Sequence, residues 1–205
     1  MSKVLTSLLD NDFYKFTMQC GVVQLFPKTK ARYTFINRGK HEFPEGFDKA
    51  LRAAVDAMAE LKLTKDEKAF LVKNCPYLSP LYLDFLEGYR YDPSEVHIAQ
   101  EGNDLKVTVE GHWYRTILWE VPLLSIISEL YYQLMNATAW TDAQVIANTR
   151  EKELLYKELG VVFAEFGTRR RHSYHVHDIV MRTLLEGYGS TFMGSSNVHF
   201  AMKYK

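Results

Sequence analysis

Three consecutive arginines at positions 169–171 are the residues best suited to do chemistry. They lie in the stretch EFGTRRRHSYHVHD, residues 165–178, which places them after Gly167 and before three histidines. Arginine offers planar, bidentate hydrogen bonds that match carboxylate and phosphate groups. We therefore expect a site for a phosphorylated or carboxylated small molecule. The alternative is a solvated run of charges that pairs with nearby acids.

A second turn of small residues, GSSN at 194–197, has a similar setting. Each of the two turns follows a short apolar strand, predicted at 161–165 and 190–193, and runs toward a helix. In parallel α/β architectures the ligand binds at the carboxyl ends of the strands. Helix N-termini there favour anions. We expect both turns to occupy that place.

The three histidines suggest a metal site, but their spacing argues against one. His172, His175 and His177 are separated by three and two residues, and positions i and i+2 do not share a helix face. No HExxH motif or neighbouring cysteine is present. We predict no metal site, and we interpret these histidines as surface residues or as residues that support the ligand site.

Two further segments carry candidate side chains. Tyr14 and Lys15 lie near a helix start without a clear structural reason. Arg38 lies in the turn NRGK, residues 37–40, after a predicted strand. This segment is either an ordinary turn or a second basic patch for a polyphosphate.

The elements of the first half indicate an α+β arrangement. A helix over 10–26 would be capped by Asp10 or Asn11 and closed by Pro27. Thr64 and Glu67 form a capping-box pattern. The remaining predictions are a strand at 30–37, a helix at 47–61, a helix that begins at Ser79-Pro80, and a hairpin of strands 95–100 and 105–110.

The second half changes character at about residue 113. A buried helix is predicted over 121–135 and an amphipathic helix over 141–159. The strand at 161–165, a helix at 174–186, the strand at 190–193 and a final helix then give a β-loop-α-β-loop-α order. This order is the beginning of a parallel α/β layer, and two strands cannot close one. We therefore expect the chain to end inside a domain.

Composition excludes several classes of protein. The 205 residues have zero formal net charge and are 47% hydrophobic, so an extended basic face for nucleic acid is not expected. No segment approaches a membrane span or a signal peptide. Two cysteines are too few for a disulfide framework. We expect a cytoplasmic protein with reduced thiols.

Several of these motifs occur together in one family. The sequence closely resembles nicotinate phosphoribosyltransferases of the bacterial type, which act in NAD salvage. The matching stretches, in the order of the family, are DNDFYKFTMQ, YTFINR, GHWYRTILWEVPLLSIISELYY, FAEFGTRRRHS and FMGSSNVHFAMKY. The combination of FGTRRR, GSSN and DFYK is specific, whereas each motif alone is weak.

The resemblance implies a reaction and a fold. The family joins nicotinate to 5-phosphoribosyl 1-pyrophosphate, which yields nicotinate mononucleotide and pyrophosphate. ATP hydrolysis is coupled to the reaction, and Mg²⁺ accompanies the pyrophosphate. The implied fold is an α+β N-terminal domain, residues 1–112, followed by the beginning of an irregular, TIM-like α/β barrel, residues 113–205. The implied assembly is a homodimer with the site at its interface.

The resemblance also implies roles for individual residues. Phe166 would stack on the pyridine ring, with Tyr14 of the neighbouring subunit on its other face. Arg169 would pair with the nicotinate carboxylate or the adjacent phosphate, and Thr168 would lie near the ring. The other phosphate or pyrophosphate ligands would be Arg171 and Arg38. Arg169 and Arg171 are the candidate catalytic residues.

Ser196 would decide the choice of substrate. Related enzymes that use nicotinamide have an acidic residue at the matching position, which would repel the nicotinate carboxylate. Serine removes that charge, so the resemblance favours the acid. As pyrophosphate leaves, charge develops at C1 of the ribose, and catalysis rests on orientation and on neutralising the leaving group.

The sequence also departs from the family. The family is longer, and none of the seven histidines here lies in its phosphorylation motif. We therefore expect this chain to be an N-terminal portion that is inactive alone. The alternatives are a phosphoribosyltransferase for nicotinamide or quinolinate and a non-catalytic binding or assembly fragment. The roles of Lys15 and Arg170 stay open.

Overall fold

The computed structural model describes residues 4–135, 140–187 and 191–205 of the chain. Its α-helices are α1 Phe13–Leu25, α2 Phe47–Ala57, α3 Lys65–Asn74, α4 Pro80–Gly88, α5 Trp113–Thr116, α6 Glu120–Leu134, α7 Asp142–Glu158, α8 Tyr174–Gly187 and α9 Val198–Lys203. Its strands are β1 Lys30–Thr34, β2 Val96–Glu101, β3 Asp104–His112, β4 Phe163–Glu165 and β5 Phe192–Ser195. Short 3₁₀ turns lie at 58–60, 93–95 and 168–170. The described chain is therefore α+β, as predicted.

The antiparallel sheet has the order β1-β3-β2, and β2 and β3 form the predicted hairpin. Gly102 at its tip has φ 58°, a conformation that favours glycine. Alternate residues of β3 face the core, since Leu105, Val107 and Val109 are buried. This period-2 pattern turns one face of the sheet toward the helices.

The main hydrophobic core lies between this sheet and helices α2 and α6. Phe43 packs on Phe47 at a ring-centroid distance of 4.7 Å and on Tyr131 at 5.6 Å. Trp119 and Ile126 belong to the same core as Leu51, so the core extends across residue 112. The division at residues 112 and 113 stays a prediction.

The second half contains a parallel pair of strands. Phe163 of β4 pairs with Phe192 of β5, and α8 connects the two strands. A smaller core of Met181, Leu184, Phe192 and Phe200 lies beside them. The predicted β-α-β order is therefore confirmed, although residue 190, the predicted start of the second strand, lies outside the described residues.

The predicted cap of the first helix was wrong. α1 begins at Phe13, and the residue before it, Asp12, makes no capping hydrogen bond with its side chain. The Asn11 side chain instead donates to the Leu118 carbonyl at 3.0 Å, and the Asp10 carboxylate binds Arg171. The two side chains that the local pattern predicted as helix caps therefore bind residues that are far away in the chain.

The segment before α1 is fixed by the turn after β5. Phe13 N–H donates to the Ser196 carbonyl at 2.7 Å, and Val198 N–H donates to the Asn11 carbonyl at 3.0 Å. His199 N–H donates to the Leu9 carbonyl at 2.9 Å. These backbone bonds hold the start of the chain against the end of the parallel strand pair. Within the described ranges, no helix combines the length and the apolar character needed to cross a membrane.

The capping box at α3 provides a test of the local structure. Glu67 N–H donates to Thr64 Oγ1 at 3.2 Å, and Thr64 N–H donates to Glu67 Oε2 at 2.8 Å. We expect Thr64→Ala to lower the free energy of unfolding by about 1 kcal/mol, measured by urea denaturation. Thr64→Ser keeps the hydroxyl and should retain most of that stability. Equal losses in both variants would contradict the capping role.

Candidate functional site

A buried ion pair joins the chain start to the arginine turn. Arg171 Nη1 and Nη2 lie 2.8 and 2.9 Å from Asp10 Oδ1 and Oδ2, and the two side chains are 2% and 1% exposed. Asn197 Nδ2 donates to Asp10 Oδ1 at 2.8 Å and to Thr168 Oγ1 at 3.1 Å. The pair and its amide partner thus connect the segment before α1 with both predicted turns.

Arg171 is placed to hold the turn. Both of its terminal nitrogens bind Asp10, its guanidinium lies 5.4 Å from the Tyr174 ring centroid, and its carbonyl accepts from Ser128 Oγ at 2.8 Å. Arg171 was expected to hold a phosphate. Its side chain is buried, and both of its terminal nitrogens bind Asp10. Thr168, also predicted near the ring, is fully buried beside Asn197.

Two aromatic rings lie together at the surface beside this turn. The rings of Tyr14 and Phe166 are 6.0 Å apart with an interplanar angle of 23°, and Phe166 is 54% exposed. Both belong to the same chain, and the contribution of Tyr14 by a neighbouring subunit stays a prediction. A flat ligand between two rings needs about 7–8 Å. The rings must therefore separate by about 1–2 Å to admit one.

Glu120 organises the charges around this ring pair. Its Oε1 lies 3.0 Å from Arg169 Nη1, and its other oxygen pairs with the buried Lys15 ammonium. Lys15 Nζ also lies 5.1 Å from the Tyr14 ring centroid. Burial and then the Glu120 charge raise the pKa of Tyr14. Glu120 was not among the residues predicted from the sequence, and the available signal was an acid in the first turn of a largely apolar helix.

A cavity of about 770 Å³ opens beside Glu120 and Arg169. Its walls come from β1 and the turn after it, from α6, and from the arginine turn. Arg38 and Arg170 line this cavity, and both are exposed. The structure thus brings the predicted Arg38 into the same cavity as Arg169, although the two are 131 positions apart in the chain. Tyr131 and Tyr132 form an aromatic wall.

Ser196 lies next to Asp12, and its N–H donates to the Glu165 carbonyl at 3.0 Å. Its hydroxyl donates to Asp12 Oδ1 at 2.8 Å. Asp12 is fully buried, and its Oδ2 has no hydrogen-bond partner among the described residues. Burial raises the pKa of Asp12, while Ser196, Thr168 and Arg169 partly offset that rise.

Glu165 holds the two turns against each other. It accepts a hydrogen bond from Gly167 N–H and one from Ser195 Oγ at 2.5 Å, and His177 Nε2 lies 3.0 Å from its Oε2. A Cβ at position 167 would lie 2.7 Å from a Glu165 carboxylate oxygen, so a larger residue there would require this side chain to shift. Gly194, with φ 113°, allows the bend before Ser195.

The remaining histidines have separate partners. His172 stacks on Tyr132 at 4.3 Å, and the exposed His175 pairs with Asp142 at 2.9 Å. Over residues 4–135, 140–187 and 191–205, no group of three or more His, Cys, Asp or Glu side chains is arranged to hold a metal ion. The roles of these histidines at a ligand site stay a prediction.

Family models match most of the chain. The model of the nicotinate phosphoribosyltransferase N-terminal domain matches residues 9–128, more than half of the chain. The chain belongs to the nicotinate phosphoribosyltransferase family. The model named for the family itself matches residues 161–205, which include both turns.

Relatives named nicotinate phosphoribosyltransferase are similar over nearly all of this chain. The protein of Chromohalobacter salexigens is 58% identical over 98% of the chain, and that of Desulforapulum autotrophicum is 44% identical over 97%. The matches cover 52% and 51% of those proteins. The chain thus spans about half the length of these curated relatives.

Solved structures of the family have the same fold over this chain. The nicotinate phosphoribosyltransferase of Porphyromonas gingivalis matches 98% of the chain with a TM-score of 0.92 and 42% identity. A putative nicotinate phosphoribosyltransferase of Saccharomyces cerevisiae matches 100% with a TM-score of 0.93 and 31% identity. The chain covers 52% and 53% of those two structures.

The Asp10–Arg171 pair predicts a large loss of stability when it is broken. Asp10→Asn removes the carboxylate and leaves a buried guanidinium charge, so we expect a loss of about 3–5 kcal/mol in the free energy of unfolding. Asp56→Asn breaks the exposed helical pair with Arg52 and should cost at most about 0.5 kcal/mol. Urea denaturation compares the two variants. Similar losses in both would show that Asp10 does not anchor the site.

Glu165 predicts a dependence of stability on pH. Burial alone would raise its pKa, but His177, Ser195 and Gly167 outweigh burial and lower the pKa below 4.5. Its stabilising contribution is therefore full above pH 4.5 and is lost as the pH falls through the folded-state pKa. We expect Glu165→Gln to be less stable than the unaltered chain at pH 7 and the difference to shrink toward pH 3. An equal difference at both pH values would contradict this.

Proposed function

We propose that this chain provides the ring-binding and phosphate-binding part of a nicotinate phosphoribosyltransferase of NAD salvage. The reaction joins nicotinate to 5-phosphoribosyl 1-pyrophosphate and forms nicotinate mononucleotide and pyrophosphate. The observation that carries this proposal is the Tyr14–Phe166 ring pair beside Arg169, next to a cavity that also contains Arg38 and Arg170. The ring pair and Arg169 would suit a flat anion, and the adjacent arginine-lined cavity would suit a polyphosphate.

The ring pair and Arg169 would bind nicotinate. The exposed Phe166 ring offers a stacking surface, and Tyr14 covers the other side once the rings separate. Arg169 binds Glu120 through one terminal nitrogen, and its remaining N–H groups are suited to the nicotinate carboxylate. Arg169 is therefore the proposed catalytic residue, whereas Arg171 positions the turn that carries it.

The exposed arginines of the cavity would bind the phosphoribosyl pyrophosphate. Arg38 approaches from the turn after β1, and Arg170 approaches from the arginine turn. Guanidinium groups on two sides suit the several charged oxygens of a pyrophosphate. As the bond from C1 to pyrophosphate breaks, positive charge develops on the ribose and negative charge on the leaving group. The arginines would orient and neutralise the leaving group.

Mg²⁺ and ATP belong to the same proposal. The carboxylate that lines the cavity, Glu120, already pairs with Lys15 and Arg169. Mg²⁺ would therefore be held mainly by the oxygens of pyrophosphate and by water, as is common for this ion. ATP would supply phosphoryl-transfer energy to the complete reaction. We expect this chain alone not to catalyse that coupling, because its histidines lie outside the family's phosphorylation motif.

The wider architecture is also a proposal. The pair β4 and β5 would be the first strands of an irregular α/β barrel, with residues 1–112 as the α+β domain in front of it. The assembly would be a cytoplasmic homodimer. The site would lie at the interface of the two subunits, beside the ring pair that Tyr14 and Phe166 form within each chain.

Calorimetric titration of this chain with nicotinate and with nicotinamide tests the proposed function. We expect nicotinate to bind and Phe166→Leu to weaken binding by about 0.5–1.5 kcal/mol through lost stacking. Arg169→Gln removes a charged hydrogen-bond donor and should weaken it by about 1.5–3 kcal/mol. His175→Asn, at an exposed position away from the rings, is the control. Absence of nicotinate binding, or unchanged affinity in both variants, would refute the proposal.

A further inference from the structure

Lys15 is a buried cation beside the proposed site, and it does not line the cavity. Its side chain is 4% exposed, whereas those of Glu120 and Arg169 are 28% and 34% exposed. A buried ammonium is costly unless it gains a partner of opposite charge. Among the described residues, Glu120 is the one carboxylate that pairs with Lys15. The role of Lys15 is therefore tied to Glu120.

Glu120 divides its two oxygens between two cations. Lys15 Nζ takes Oε2, and Arg169 Nη1 donates to Oε1 at 3.0 Å. A guanidinium commonly binds a carboxylate through two parallel hydrogen bonds. Because Oε2 is occupied, Arg169 forms a single bond to Glu120, and within the described ranges no other group accepts from its side chain. Its remaining N–H groups thus stay available.

The neighbouring Arg171 shows the opposite arrangement. It binds Asp10 through both terminal nitrogens at 2.8 and 2.9 Å, and its side chain is 2% exposed. Over the part of the chain that the structure describes, no second cation pairs with Asp10. Two arginines only two positions apart therefore meet their carboxylates in different ways, and the pair that stays open is the one whose carboxylate also binds Lys15.

We propose that Lys15 is a positioning residue that keeps Arg169 open to an anionic ligand, because it occupies the Glu120 oxygen that Arg169 would otherwise bind. This inference rests on the proposed function, which assigns the nicotinate carboxylate to Arg169. Lys15 acts through Glu120 and does not touch the ligand. Without its ammonium, both oxygens of Glu120 would bind Arg169, and an incoming anion would compete with two charged hydrogen bonds instead of one.

Chemical modification of the arginines tests this inference without a ligand. Phenylglyoxal reacts with accessible guanidinium groups, and mass spectrometry of peptides gives the rate at each arginine. We expect Lys15→Met to slow the modification of Arg169 several-fold. Adding Glu120→Gln to Lys15→Met should restore the rate, because no carboxylate then remains to bind Arg169. Arg171 is buried and bound through two nitrogens, so it should stay unmodified in every folded variant.

Calorimetric titration with nicotinate measures the consequence for binding. We expect Lys15→Met to weaken nicotinate binding about tenfold, which is within the range of coupling between residues of one ion-pair network. The same substitution should change the affinity little when Glu120→Gln is also present. Lys68→Met is the matched control, because Lys68 likewise pairs with acidic side chains, which belong to helix α4. It should leave the affinity and the modification of Arg169 unchanged.

A further variant covers the case in which Lys15→Met does not fold. Glu120→Gln alone offers one acceptor oxygen in place of two. The buried Lys15 should keep that oxygen, because an unpaired ammonium is costly there. Arg169 should then be released and should react faster with phenylglyoxal than in the unaltered chain. An unchanged rate would overturn the inference.

The outcomes separate the two proposals. Slower modification and weaker binding in Lys15→Met, both reversed by Glu120→Gln, support the inference. No effect of Lys15→Met in a folded chain, or equal effects with and without Glu120→Gln, would overturn the inference alone. An unaltered chain that does not bind nicotinate overturns the proposed function, even where the modification pattern shows that Lys15 controls Arg169.

Discussion

The site depends on the buried ion pair between Asp10 and Arg171. Removing two charges from water costs several kcal/mol each, and that cost is offset only by good geometry and further hydrogen bonds. Both conditions hold, because the guanidinium binds the carboxylate through two nitrogens and Asn197 supplies another donor to Asp10. Residues 161 positions apart in the chain are thereby held together. The segment before α1 can then approach both turns of the parallel strand pair.

Three adjacent arginines serve three different purposes around this anchor. The turn at 168–170 is a 3₁₀ helix, in which successive side chains point about 120° apart. Within it, Arg169 points toward Glu120 and the ring pair and Arg170 lines the open cavity. Arg171 follows the turn in an extended conformation and points inward to Asp10. One short run of identical residues thus provides an anchor, a candidate ligand contact and a charged cavity wall.

Charge balance around the ring pair distinguishes this site from a simple basic patch. Lys15 and Arg169 share the Glu120 carboxylate, and Asp12 accepts a hydrogen bond from Ser196. Two cations and two carboxylates thus surround a small aromatic site.

The local features of the fold could be predicted from the sequence. The capping box at Thr64, the alternation along β3, the hairpin at Gly102 and the β-α-β order of the second half each depend on residues close together in the chain. Propensity, periodicity and turn chemistry act over such short distances. The candidate residues Phe166, Arg169 and Ser196 were also found, because their motifs are short and contiguous.

Only the tertiary structure decided how these residues are paired. Asp10 looked like a helix cap and is the partner of Arg171, and Tyr14 lies against Phe166 within the chain. Glu120 carried no recognisable motif, yet it joins Lys15 and Arg169. Each of these contacts links positions more than 45 residues apart, and a buried charge takes whichever partner the fold brings to it. The sequence determined the candidate groups and the local elements, whereas their partners and protonation depend on burial, which exists only in the folded chain.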